Sequence, residues 1–301
     1  MRITNSTLTN NFLRNLSRNL EQMQKYQNQL SSGKEVSRPS DDPLLVSKIM
    51  DIDNNIKANK QYNSNIKDTL GWVETQDSAL SDVTKTLHRV RELITYGANG
   101  SLSDTDRSAI KDEMAMQIGQ LNDTLNTNFD GRYIFGGQNT NSPPYKVEND
   151  ILKYNGDNNN ISREISQGVT VDLITDGSKI LNADNTSEGN GDLGVFMQKV
   201  MKALEDGDTD ALSGELLGDI DKHTDNVIRI RSQIGAINNR LEAAQSRNET
   251  ENLSLSKVLS EREDIDIAEK YMEYMVMSSV YQASLSVGSK ILQPSLLDYL
   301  R

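Results

Sequence analysis

A heptad seam running from Leu216 to Ala283 constrains this chain more than any other feature. Stepping by alternate fours and threes picks out Leu216, Ile220, His223, Val227, Ile230, Ile234, Ile237, Leu241, Ala244, Asn248, Glu251, Leu255, Val258, Arg262, Ile265, Glu269, Met272, Val276, Ser279 and Ala283. Fourteen of these twenty positions are apolar, in a chain that is only 35% hydrophobic, and the phase never slips. No Gly or Pro occurs between 236 and 287. A single helix over the seam would be roughly 100 Å long. A compact globule of this chain length is only about 50 Å across. Either the helix breaks and folds back, or the molecule is elongated.

Composition favours helices that bury stripes over one thick core. Mean hydropathy is -0.61, and Trp, Tyr and Phe number 1, 10 and 4. The net charge of -12 argues against nucleic acid or an anionic membrane as a partner. The absence of cysteine excludes disulfides and thiolate chemistry and leaves the compartment open. The opening MRITNSTLTNNFLRNL lacks the apolar core of a secretory signal, and no apolar run reaches membrane-spanning length. Membrane insertion is therefore not expected, and sequence physics alone reads as a soluble cytoplasmic protein.

A second seam opens the chain at Leu13, Leu16, Leu20, Met23, Gln27 and Leu30, with Gly33 where a helix C-cap belongs. Its few apolar side chains offset too little ordering entropy for the helix to stand alone. Its natural partner is the end of the long seam, Met272 to Ile291. GKEVSRPSDDP reads as a linker in which Asp42 caps a helix that starts at Pro43. That helix carries Ile49, Ile52 and Ile56, then Ile66, Leu70, Val73, Leu80, Val83, Leu87, Val90 and Ile94, and closes near Gly97. Ser103 and Asp106 form a capping box for a third helix with the face Ile110, Met114, Ile118, Leu121 and Leu125. The short connection makes an antiparallel helical hairpin. From Phe129 the pattern turns to strands separated by Gly, Asn and Asp. Residues 131–180 read as a small β-rich module inserted between helices. A loop follows, and Phe196, Val200, Met201 and Leu204 mark a short helix before the long seam.

No motif here assembles chemistry. Gly189, Gly191 and Gly194 spell a dinucleotide fingerprint but lack the preceding buried strand, so a loop is expected. Asp206, Asp208 and Asp210 start like a calcium loop, yet its Gly and Glu positions are Ala211 and Leu217. His88 and His223 are not set in a metal-ligand motif and read as surface or packing residues. Arg262 and Glu269 either set register or face solvent, the second being favoured. No catalytic residue, metal or cofactor is expected.

Three stretches carry a resemblance: LSSGKEVSRPSDDP at 30–43, FDGRYIFGG at 129–137, and SSVYQASLSVGSKILQPSLLDYLR at the C-terminal end. Together they are similar to the flagellin superfamily, over the chain from end to end. Within it the GRYIFGG stretch, the modest middle without a large variable outer domain and the SLLDYL ending point to the subunits at the junction of hook and filament. The resemblance implies a mainly α fold: an elongated rod of long helices and terminal coiled-coil helices with a small inserted β-rich module. It places a coiled-coil assembly layer, disordered in the free subunit, at 1–42 and 256–301. A helical rod domain would occupy 43–130 and 193–255, with an outward β-rich module at 131–192. It implies a structural adaptor, not an enzyme, exported by the flagellar type III pathway from the cytoplasm to the extracellular flagellum. Subunit contacts would use Leu13, Leu16, Leu20, Met23, Leu30, Met272, Met275, Val276, Val280, Ala283, Val287, Ile291 and Leu292. The implied partners are copies of itself in a ring, a neighbouring hook-associated protein and flagellin, and an export chaperone on the C-terminal helix. A short flagellin and a cytoplasmic coiled-coil scaffold are the rival readings.

Overall fold

Local capping rules fix most helix boundaries in the computed structural model, which describes residues 5–148, 151–183 and 192–291. The Asp42 carboxylate accepts from the backbone N–H of Leu44 and Leu45, at 3.1 and 3.0 Å, and α2 (Pro43–Gly97) starts on it. Ser103 and Asp106 form the reciprocal capping box of α3 (Asp104–Leu125). The buried side chains of α3 are the expected Ile110, Met114, Ile118, Leu121 and Leu125. The chain is mainly α, and it divides into two compact units, one of residues 1–58 with 251–301 and one of residues 59–250.

The first unit holds α1 (Asn5–Ser32), the start of α2, the end of α7 (Glu215–Glu263) and α8 (Ile267–Ile291). The long seam is therefore two helices. It breaks at Asp264–Asp266, and the Asp266 carboxylate starts α8 by accepting from the N–H of Ala268 and Glu269 at 2.9 and 3.2 Å. A capping carboxylate restarts the helix without Gly or Pro.

The second unit is built on α2, α3, the long α7, and α5 (Leu193–Asp206), with three two-stranded antiparallel hairpins between them. These are β1 (Asn128–Phe129) with β2 (Arg132–Tyr133), β3 (Tyr145–Glu148) with β4 (Ile151–Tyr154), and β5 (Ser162–Ser166) with β6 (Val169–Asp172). Short helices α4 (Ser178–Leu181) and α6 (Thr209–Ser213) complete it. The first hairpin turns on Asp130 and Gly131, both at positive φ (51° and 74°), the two-residue turn that matches strand twist. Along α7 the seam is buried from Leu216 to Asn248 except for the half-buried Ile237, and Glu251, the next seam residue, is exposed.

The hairpins share one core with the helices. Ile134, Phe135, Tyr145, Leu152, Ile165, Val171, Leu173, Ile180 and Leu181 join Leu80, Leu87, Ile94, Leu121 and Ile230 in a single buried cluster. Two buried amides fasten this segment to the helices. Gln76 of α2 donates to the carbonyls of Ile134 and Ile174 at 3.1 and 2.8 Å. Asn226 of α7 donates to the carbonyl of Lys179 at 2.8 Å. Gly194 lies so close to strand β4 that a Cβ there would collide with the Leu152 carbonyl oxygen. It serves as a packing contact in the first turn of α5. Gly189 and Gly191, the other two glycines of that motif, lie outside the described residues.

The cap of α5 carries a pH dependence. Asp192 accepts from the Gly194 N–H at 2.7 Å, yet burial outweighs that bond and raises the Asp192 pKa above its ordinary 3.8. An acid with a raised folded pKa destabilises the fold while ionised, and this loss is recovered as pH falls through the folded pKa. Asp192→Asn keeps an acceptor for the cap and removes the buried charge. It is expected to melt at a higher temperature than the parent at pH 7, and the difference should vanish towards pH 4. A difference that stays constant with pH would refute this assignment.

Candidate assembly surface

Within the first unit α1 and α8 pair along their lengths, running antiparallel. Phe12 of α1 fills the space above Gly288, where a Cβ would collide with its ring. Asn19 donates to Ser284 Oγ at 3.4 Å, and the Lys270 ammonium lies 5.7 Å from the centre of the Tyr26 ring. These contacts put Lys270, Ser284 and Gly288 on the inner row of α8, and the half-buried Tyr274, Met277 and Tyr281 complete the same heptad row.

A clasp joins the two linkers at the end of this pair. The Glu35 N–H donates to the Glu263 carbonyl at 2.7 Å, and the Ile265 N–H to the Gly33 carbonyl at 3.1 Å. The side chains of Lys34 and Glu263 form an ion pair, and Lys270 bridges Glu35 and Glu273 at 3.4 and 3.3 Å. The hydrogen bond and charge of Glu263 raise the Lys34 pKa above 10.5. Burial lowers the Lys270 pKa, but the bond to Glu273 and the charge of Glu35 outweigh it and leave it raised. A raised lysine pKa contributes stability that is complete below the unfolded value and is lost as pH rises through the folded one. The clasp is thus expected to be indifferent to pH from 6 to 9 and to loosen only above about 10.5. Hydrogen exchange of the Glu35 and Ile265 amides, corrected for intrinsic rate, checks this; loosening near pH 7 would contradict it.

The outer row of α8 is left open. Ile267, Met272, Met275, Val276, Val280 and Val287 are 67, 63, 49, 63, 43 and 53% exposed, and Ala283 is exposed with them. On α1, Leu13 and Leu20 are exposed, while Leu16, Met23 and Leu30 are half-buried. Ile291 ends α8 with its side chain outside the described residues, and Leu292 lies outside them altogether. The sequence phase carried across the break at 264–266 picks out the open row. The inner row of α8 escaped it, although 270, 274, 277, 281, 284 and 288 repeat by fours and threes. Arg262 and Glu269 face solvent, His88 is exposed, and His223 is buried against Phe196 at a ring separation of 5.2 Å. Among the described residues no group of acids or histidines could hold a metal, and no helix is long and apolar enough to cross a membrane.

The arrangement is that of a structural protein whose terminal helices pair and leave an apolar row open. The bacterial flagellin N-terminal helical region matches residues 3–140 and the C-terminal helical region matches residues 217–300, so the chain belongs to the flagellin family. It is similar to flagellar hook-associated protein 3 of Escherichia coli strain K12, with 26% identity over 94% of this chain and 95% of the relative. Flagellar hook-associated protein 3 of Salmonella typhimurium is 25% identical over the same shares. Flagellin of Bacillus subtilis strain 168 is 25% identical over the full length of both. The fold is that of a solved flagellar hook-associated protein from Vibrio parahaemolyticus, with a TM-score of 0.67 over 74% of this chain and all of that one, at 24% identity.

Proposed function

We propose that this chain is a structural adaptor at the junction of the flagellar hook and filament, assembled through its terminal helices. The observation that carries this reading is the end-to-end similarity to two proteins known as flagellar hook-associated protein 3. The open apolar row of α8 supports it, because a face of this kind on a family of assembling subunits needs a neighbour to cover it. On this reading residues 1–42 and 256–301 form the assembly layer, and residues 43–130 and 193–255 form the helical domain that carries 131–192. The partners are further copies in a ring, a neighbouring hook-associated protein and flagellin. Before export by the flagellar type III pathway the subunit is cytoplasmic, with a chaperone covering the C-terminal helix. Afterwards it is an extracellular part of the flagellum.

The α1–α8 pair fits a layer that becomes fully ordered on assembly. Among its described residues no large apolar side chain is fully buried, in contrast to the core of the second unit. Burial therefore offsets little of the ordering entropy until neighbours supply matching rows. Immunogold labelling of intact flagella tests the reading. Label confined to the hook tip is expected. Label along the filament would favour the flagellin reading, which the full-length likeness to a flagellin keeps open. Protein retained in the cytoplasm would favour a scaffold.

A further inference from the structure

We infer that Asn99, in the turn between α2 and α3, is a site of spontaneous covalent modification, losing its side-chain amide to attack by the Gly100 backbone nitrogen. Asn99, Gly100 and Ser101 are all exposed. The Asn99 side-chain carbonyl accepts from both the N–H and the hydroxyl of Ser101, at 3.3 and 2.9 Å. The first of these bonds closes a ring over the Gly100 peptide and so folds the amide carbon back toward the Gly100 nitrogen. Together they place two donors on the oxygen that becomes negative when that nitrogen attacks. The Gly100 N–H itself donates to nothing among the described residues. Nothing stands within 4 Å of where a Gly100 Cβ would be, so no described neighbour blocks the approach.

The reaction uses only solvent. Hydroxide takes the proton of the Gly100 N–H, the nitrogen bonds to Asn99 Cγ, and the bond from Cγ to the amide nitrogen breaks. The departing nitrogen takes a proton and leaves as ammonia. Water then opens the five-membered imide at either carbonyl, giving an ordinary or a β-linked aspartate. Either product puts a carboxylate just past the C-terminus of α2, where the helix dipole disfavours negative charge. The β-linked form also adds one backbone atom to a turn in which the Leu102 N–H reaches the Asn99 carbonyl at 3.2 Å.

A second Asn–Gly pair supplies the contrast. Asn155 is exposed as well. Its backbone N–H donates to the Pro144 carbonyl at 2.7 Å, and the Asp157 N–H, just beyond Gly156, donates to the Gly136 carbonyl at 3.1 Å. Gly156 packs on the Tyr154 ring so closely that a Cβ would stand 2.4 Å from it. This pair must open locally before it can react. The third pair, Asn190 and Gly191, lies outside the described residues.

The test holds full-length protein at 37 °C and pH 8 and follows both sites by peptide mapping with mass spectrometry. Asn99 is expected to convert at least about tenfold faster than Asn155, whose reaction waits on opening. In urea, with the fold removed, the two rates should come together. Gly100→Ala adds a methyl group into open space at a position without positive φ. It should leave the melting temperature unchanged and slow conversion of Asn99 by about tenfold or more, because the methyl group crowds the attacking nitrogen. Equal rates at Asn99 and Asn155 in the folded protein would overturn the inference. So would an Asn99 amide that stays intact in the folded chain while the unfolded chain converts, or a gap between the sites that persists in urea.

Discussion

Met272→Asp combined with Val276→Asp is expected to abolish incorporation of this protein into flagella without unfolding it. Both side chains are 63% exposed in the single chain, so carboxylates there remain hydrated and the subunit should melt as the parent does. Once a neighbouring helix covers the row, each buried, unpaired carboxylate costs several kcal/mol. Since 1.4 kcal/mol is tenfold in affinity, two of them should weaken association by about a thousandfold or more. Chaperone binding should fail with it if the same row is what the chaperone covers. A control at Tyr281→Asp strikes the inner, half-buried row instead and should disturb the α1–α8 pair inside the chain. Assembly of the Met272/Val276 variant at the parent level would show that the open row is not the subunit contact.

Gln76→Leu is expected to cause a large loss of stability in the second unit. Gln76 is fully buried, and its amide is the donor for the carbonyls of Ile134 and Ile174. Leucine has similar bulk but leaves both carbonyls buried without this donor, at about 1–3 kcal/mol each. For a domain of this size, that is a fall in melting temperature of roughly 5–15 °C. Replacing 131–192 by a Gly/Ser linker should be more damaging still, because it removes nine buried side chains from a core shared with the helices. The sequence pattern alone suggests the opposite, a module that can be cut out at Gly-rich boundaries. Cooperative melting of the linker variant at the parent temperature would favour the separable module. Urea denaturation followed by far-ultraviolet circular dichroism distinguishes the two outcomes.

Sequence by itself determined whatever is settled within one or two turns of chain. The Ser103–Asp106 capping box, the Asp42–Pro43 helix start, the apolar face of α3 and the change to strand character beyond Phe129 could be read directly. Each depends on backbone donors and side chains a few residues apart, so the relevant energies are local. The family resemblance was legible in the same way, in contiguous stretches. Tertiary structure decided which row of a helix meets which neighbour. The seam phase did not reveal that Asp266 would restart the helix, nor that Tyr274, Met277 and Tyr281 would turn toward α1 and leave Met272 and Val276 open. Both rows of α8 repeat by fours and threes, and the partner supplied by residues 5–32 selects between them. The amide pins of Gln76 and Asn226 were likewise invisible. Their members lie about 50 to 100 residues apart, and only packing brings a donor to its acceptor.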